Sequence, residues 1–91
     1  MNLQKLQQKL PALPNLRFVG KDLVEVVEPP YSFIRDNKLF ISGENGDNAC
    51  DYYGEFRGGF PYINPVLEAF AAKNGGFFEW ENPACIVFCE N

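Results

Sequence analysis

The sequence contains no histidine and no threonine, and it has only two serines, one methionine and one tryptophan. Without histidine, the usual general base and the commonest protein ligand for metals are both missing. The three cysteines, Cys50, Cys85 and Cys89, form no Cys-x-x-Cys pair, so the spacing of a structural zinc site is missing too. We therefore expect a protein that is not a histidine- or zinc-dependent enzyme and that needs no cofactor.

The cysteine positions also argue against disulfides. If residues 85–89 form a strand, the Cα atoms of Cys85 and Cys89 lie about 13 Å apart at about 3.3 Å per residue, beyond the roughly 7 Å that a disulfide tolerates. Cys50 can bridge only one of them, so free thiols in a reducing cytoplasm are the simpler interpretation. The first residues lack the apolar core of a signal peptide. No run approaches the ~18 apolar residues of a membrane span, so no membrane partner is expected.

Basic residues are scarce in the second half of the chain. Residues 1–41 carry six Lys or Arg and four Asp or Glu, whereas residues 42–91 carry two Lys or Arg and eight Asp or Glu. The whole chain has a net charge of −4. Direct binding to nucleic acid requires clustered cations that displace counterions. The acidic half instead favours a basic partner protein.

Bulky apolar residues are abundant: 46% of the 91 residues are hydrophobic, and nine Phe, four Tyr and one Trp are present. This composition predicts a folded chain with a dense core rather than a disordered one. The length predicts one domain over residues 1–91. There is no internal repeat and no linker.

The N-terminal third predicts one helix and one ambiguous segment. Leu3, Leu6 and Leu10 recur at the spacing of a short amphipathic helix whose leucine face packs on the core. Residues 16–28 fit either a helix capped by Asp22 or a strand, and their valines favour a strand.

Two hairpins and one helix follow. Residues 31–42 predict a hairpin with its turn at Asp36-Asn37, and residues 77–89 predict a second one around Asn82-Pro83. Asn64, Pro65 and Asn74-Gly75-Gly76 provide start and stop signals for a helix over 65–74. The fold class is thus α+β: a small antiparallel sheet of four or five strands, with helix 65–74 packed on it and a short N-terminal helix.

Residues 43–63 have no clear periodicity, although they are rich in glycine, acids and aromatics. A segment this long without an element is either functional or a lid on the core. Glu79 and Glu81, which flank Trp80, can extend its acidic surface. The candidate partner-binding residues are Glu44, Asp47, Asp51, Tyr52, Tyr53, Glu55, Phe56, Arg57, Glu79 and Glu81.

Two functions fit this surface. The first is a non-enzymatic, acidic protein-binding module, an inhibitor or adaptor that docks on a basic partner such as a nucleic-acid-binding enzyme. In size and charge the chain is similar to phage and plasmid proteins that inhibit nucleases or CRISPR effectors. The second is a small-molecule or carbohydrate binder that uses Tyr52, Tyr53 and Trp80 as stacking platforms. An EF-hand is excluded because Ala49 and Cys50 stand where a ligand and glycine are required. A carboxylate-pair hydrolase ranks third.

Overall fold

The computed structural model describes residues 2–43, 49–53 and 61–91. Within these ranges every strand pair is antiparallel, and the strands form one four-stranded sheet and two two-stranded sheets. The predicted α+β class is confirmed. In chain order the elements are α1 (Leu3–Gln8), β1 (Leu13–Val19), β2 (Asp22–Glu28), β3 (Ser32–Arg35), β4 (Lys38–Ser42), β5 (Cys50–Asp51), β6 (Tyr62–Ile63), α2 (Pro65–Lys73), β7 (Gly76–Asn82) and β8 (Cys85–Glu90).

Two hairpins build the four-stranded sheet, whose strand order is β3-β4-β8-β7. At the first turn Asp36 and Asn37 adopt φ values of 52° and 61°, the left-handed pair that a two-residue turn of type I′ requires. The second hairpin turns at residues 83–84, as the sequence predicts. Pairing of Phe40 with Val87 joins the two hairpins through β4 and β8.

The start and stop signals of α2 are both used. The Val66 N–H donates to Asn64 Oδ1 at 2.9 Å, and Pro65 occupies the first turn, where its missing N–H costs nothing. Gly75 follows the helix with φ +78°, a conformation that glycine adopts without strain. The helix ends at Lys73, one residue before the predicted end.

Both helices pack on one face of the four-stranded sheet. Leu67 of α2 lies in a buried cluster with Ile41 and Ile86, and Leu6 of α1 lies in a second one with Leu39 and Phe88. Leu39, Ile41, Leu67 and Ile86 are fully buried. The leucine face of α1 is therefore part of the core, as its spacing predicts.

Residues 13–28 differ in detail from the single strand favoured for 16–28. They form a hairpin of β1 and β2, a sheet of its own, which we call the ribbon. The connection is the pair Gly20-Lys21, and Gly20 has φ +64°, as the first central position of a type II′ turn requires. Seven residue pairs extend without interruption from Val19↔Asp22 to Leu13↔Glu28.

Candidate functional site

The ribbon has one apolar face that no described helix or strand covers. Side chains alternate between the two faces of a strand, and directly opposed residues share a face. One face, called the ribbon face below, therefore presents the pairs Pro14↔Val27, Leu16↔Glu25 and Phe18↔Leu23.

The apolar residues of the ribbon face are strongly exposed. Phe18 is 77% exposed, Val27 66%, Leu16 60% and Leu23 55%. Single exposed hydrophobic residues are ordinary on a protein surface, but a contiguous group of large ones marks an interaction site. The extensive contacts of β1 and β2 are those with each other. Among the described residues, the ribbon face thus has no second layer.

The opposite side of the ribbon is tied down at its root. Leu13 is buried in the core cluster that also holds Leu10. The Arg17 Nε–H donates to Glu28 Oε1 at 2.6 Å, and Asn15 Nδ2 donates to the same oxygen at 3.1 Å. The hydrogen bond from Arg17, followed by that from Asn15, lowers the pKa of Glu28 below its usual value. The same bond raises the pKa of Arg17.

A cleft of about 450 Å³ lies beside this root, lined among others by Leu13, Glu28, Tyr31 and Ala49. Its volume is within the range of small-molecule sites. The Arg17–Glu28 pair forms part of the wall, and each of its charges already has a counterion. The cleft therefore offers no uncompensated charge at that wall.

The structure places five of the predicted site residues. Asp51 and Tyr52 are half-buried at and after β5, Tyr53 is 60% exposed, and Glu79 and Glu81 are exposed on β7. Glu44, Asp47, Glu55, Phe56 and Arg57 lie outside the described residues, so the site prediction as a whole stays a prediction.

Three aromatic rings of the predicted surface come together. The Tyr52 ring meets the Trp80 ring edge to face, with centroids 5.1 Å apart and an interplanar angle of 84°. Tyr53 meets Tyr52 in the same manner at 5.1 Å. Trp80 packs against the core cluster, so the row of rings runs from the core to the exposed Tyr53.

The two glutamates of β7 are not part of this row. Alternation along β7 places Glu79 on the face opposite Trp80, where Cys89 Sγ lies 3.6 Å from Glu79 Oε2. Glu81 lies where the β7–β8 register shifts, between Trp80 and Asn82. Burial, followed by the charge of Glu79, raises the pKa of Cys89. Glu79 and the row of rings thus face different sides of the sheet.

Cys50 directly precedes Asp51 of the predicted surface, and its environment opposes a role as a nucleophile. Burial, followed by electrostatic effects of Cys85 and Asp51, raises the pKa of the Cys50 thiol to about 12. A neutral thiol is a poor nucleophile, because the thiolate is the reactive form. None of the three cysteines, all within the described ranges, forms a disulfide.

Sequence reasoning missed the ribbon face, although a signal was present. Gly20-Lys21 stands between two runs of similar length, and a glycine followed by another residue is the sequence of a type II′ hairpin turn. Read that way, 16–28 becomes part of a two-stranded ribbon with Phe18 next to its tip.

Comparison of the chain with family models, curated proteins and solved structures finds no match. The part of the chain that the structure describes contains no helix that is long and apolar enough to cross a membrane.

Proposed function

We propose that this protein is a non-enzymatic, acidic protein-binding module, an inhibitor or adaptor, that docks on a basic partner protein through the ribbon face. The observation that supports this proposal is the exposure of Leu16, Phe18, Leu23 and Val27 on a ribbon that no described helix or strand covers.

A two-stranded hairpin is marginally stable in water unless a third strand or another layer covers it. Seven pairs of this ribbon extend from a root at which Leu13 is buried in the core cluster. Burying one large apolar side chain fully contributes about 1.5–3 kcal/mol. A partner that covers the ribbon face therefore stabilises the ribbon and gains affinity from the same contacts.

The charge of the chain supports a basic partner. The net charge is −4, and eight of the twelve acids lie in residues 42–91. On the ribbon itself, β2 carries Asp22, Glu25 and Glu28 and no cation. Such charges accelerate association with a positively charged surface and discriminate against acidic proteins. In this proposal the acids steer the encounter, and the apolar ribbon face provides the hot spot.

A test of the proposal places a photo-crosslinking amino acid at Phe18 and, as a matched control, at Phe77, which is 42% exposed on β7. Crosslinking is carried out in cells of the source organism, and a protein captured from Phe18 but not from Phe77 is purified for binding measurements. The double substitution Phe18→Ser with Leu23→Ser should weaken its binding by at least about 30-fold, the effect of a hot spot of 2 kcal/mol.

The matched control for these measurements is Val66→Ser on α2, because Val66 is also exposed, at 49%, but belongs to a helix and not to the ribbon. It should leave the dissociation constant unchanged. Equal binding by the ribbon double variant and the unchanged protein would show that the ribbon face is not the contact surface.

A second candidate function is binding of a small molecule or carbohydrate at Tyr52, Tyr53 and Trp80. The edge-to-face contacts among these rings favour it, since aromatic faces are the usual platforms for sugars and planar ligands. Trp80 is the only tryptophan, so its fluorescence reports on a ligand directly. This function is favoured over the first by a ligand that quenches the fluorescence of Trp80, whose binding is lost in Tyr53→Ala and whose affinity does not depend on salt concentration.

A further inference from the structure

The direction of the peptide groups in the ribbon follows from its pairing. In an antiparallel pair, directly opposed residues alternate between hydrogen-bonded and non-hydrogen-bonded pairs, and the peptide groups of the second kind point outward. Pro14 lies opposite Val27 and has no N–H to donate. This pair is therefore a non-hydrogen-bonded pair, whose peptide groups point outward. The two-residue turn supports this assignment, because Val19 and Asp22, the residues that flank it, form a hydrogen-bonded pair, and the pairs alternate from there. The other outward pairs are Leu16↔Glu25 and Phe18↔Leu23.

The two edges of the ribbon consequently differ in the number of backbone N–H groups that are available to a further strand. On β1, Pro14 has no donor, and the Leu16 N–H donates to Asn15 Oδ1 at 2.9 Å, so two of three outward positions are blocked or occupied. On β2, the N–H groups of Leu23, Glu25 and Val27 all point outward. Among the strands that the structure describes, none lies beside β2 on that side.

Of the features that normally protect an edge strand, the β2 edge has only charged side chains, its three acids. Proteins protect such edges with charged side chains, lysine above all, with proline, with a bulge or by keeping the strand very short. β3 has four residues, and β7 has a register shift between Trp80 and Asn82 and is packed by α2. β2 has seven residues without proline, lysine or bulge, which gives an edge about 23 Å long at about 3.3 Å per residue.

Acids along β2 oppose pairing with a second copy of this strand. In the antiparallel register that uses its whole length, Glu25 would face Glu25 of the other copy, and Asp22 would face Glu28. Like charges directly opposite one another destabilise a sheet. The edge is thus protected against its own copy but open to a strand of opposite charge.

We propose that the outer edge of β2 accepts an extended segment of the partner protein as a third strand, in which a basic residue lies opposite Glu25 and apolar residues lie opposite Leu23 and Val27. This inference rests on the function proposed above and adds the mode of binding and the chemistry of the bound segment.

The side-chain arrangement specifies this pattern. Leu23, Glu25 and Val27 share the ribbon face, so the residues opposite them in the added strand read apolar, basic, apolar at alternate positions. Glu28 points to the other side, and its Oε1 already accepts from Arg17. Glu25 is bonded to no cation within the described residues, so on the ribbon face its carboxylate is available to pair with a basic residue of the partner. Main-chain hydrogen bonds supply affinity in such strand addition, and the alternate side chains supply specificity.

The direct test uses a synthetic probe, an acetylated and amidated heptapeptide of sequence Gly-Ile-Thr-Arg-Thr-Ile-Gly, with the full-length, isotope-labelled protein. The matched peptide carries glutamate in place of arginine. We expect the arginine peptide to slow amide exchange at Leu23, Glu25 and Val27 but not at Val24, whose N–H points toward β1. Its dissociation constant should be at least about 10-fold lower than that of the glutamate peptide.

Three substitutions separate the edge from the charge. Glu25→Pro removes both the central outward donor and the carboxylate without breaking the β1–β2 ladder and should abolish peptide binding. Its matched control is Glu25→Ala, which also removes the carboxylate but keeps the outward N–H, and it should still bind the peptides, now without preferring arginine over glutamate. Glu25→Arg should reverse the preference between the two peptides, and it remains informative if the proline variant disturbs the ribbon.

Peptide protection of the Phe18 amide instead of the β2 amides, or equal binding of both peptides by unchanged protein and Glu25→Arg, would overturn the inference. A failure of strand addition can be distinguished from a failure of the proposed function. If the serine variants of the ribbon face lose the captured partner while Glu25→Pro retains it, face docking stands and strand addition fails. If the serine variants retain the partner, the proposed function itself fails.

Discussion

The four-stranded sheet and the ribbon are built from similar antiparallel strands, yet one is the core and the other is surface. Leu39 and Ile41 on β4 are fully buried because α1 and α2 cover that face of the sheet. Phe18 on β1 is 77% exposed because no described element covers the ribbon. For these three residues, cover by a helix decides burial, whereas strand propensity and hydrophobicity do not.

The largest expected difference between the two regions concerns truncation of apolar side chains. Leu67→Ala should destabilise the protein by about 2–5 kcal/mol, because the Leu67 side chain of α2 is fully buried in the core and its removal leaves a cavity. Phe18→Ala removes a larger side chain from the ribbon and should change the free energy of unfolding by less than about 0.5 kcal/mol. Urea unfolding followed by Trp80 fluorescence measures both.

A small effect of Leu67→Ala would remove the basis for treating the α2 face as core. A large effect of Phe18→Ala would show that the ribbon face is covered within the chain itself, and the proposed docking surface would then be withdrawn.

A second comparison uses one glycine from each region. A Cβ at Gly76 of β7 would press on the Cys89 carbonyl oxygen and lie 2.5 Å from the Phe88 ring carbon Cζ. Gly76→Ala should therefore destabilise the whole protein by about 1–3 kcal/mol, as overpacking does. A Cβ at Gly20 meets nothing within 4 Å, and only the positive φ opposes it.

We expect Gly20→Ala to open the ribbon locally, so that its amides exchange faster while unfolding detected at Trp80 changes by less than about 0.5 kcal/mol. If Gly20→Ala instead destabilises the four-stranded sheet as much as Gly76→Ala, the ribbon and the sheet unfold as one cooperative unit.

Local signals in the sequence were sufficient to predict most of the four-stranded sheet and its helix. The Asp36-Asn37 turn and the Asn64 cap need only neighbouring residues to act, so they can be read without knowledge of the fold. The alternation of β7, with Trp80 toward the core and Glu79 away from it, is likewise a property of a single strand.

The candidate site was less predictable because it depends on what is absent around it. Leu16, Phe18 and Leu23 have the composition of core residues, and only the tertiary arrangement shows that no described element covers them. The contact of Tyr52 with Trp80 joins residues that are distant in the chain, so spacing alone does not predict it. Acidic composition is the basis for the charge of the proposed partner, but it does not reveal the strand edge that we propose as its binding site.

The smallest expected effect is a pH dependence confined to the root of the ribbon. Arg17 and Asn15 both donate to Glu28 Oε1, which lowers the pKa of Glu28. A carboxyl whose pKa is lower in the folded protein stabilises it above the pKa of the unfolded chain. That contribution is lost as the pH falls through the lowered value. The ribbon root should therefore remain paired at neutral pH and loosen only in acid.

The proton on Arg17 Nε reports this directly, because it lies in the 2.6 Å hydrogen bond to Glu28. Its chemical shift should move with a midpoint below about 4.3, the ordinary value for glutamate. Glu28→Gln should abolish the transition, whereas Glu25→Gln, which removes a carboxylate from the other face of β2, should preserve it. A midpoint at or above the ordinary value would mean that the Arg17–Glu28 pair does not hold the root in solution. Among the described residues, the packing of Leu13 in the core cluster would then remain to hold the ribbon root, and the contrast between the two regions would be greater.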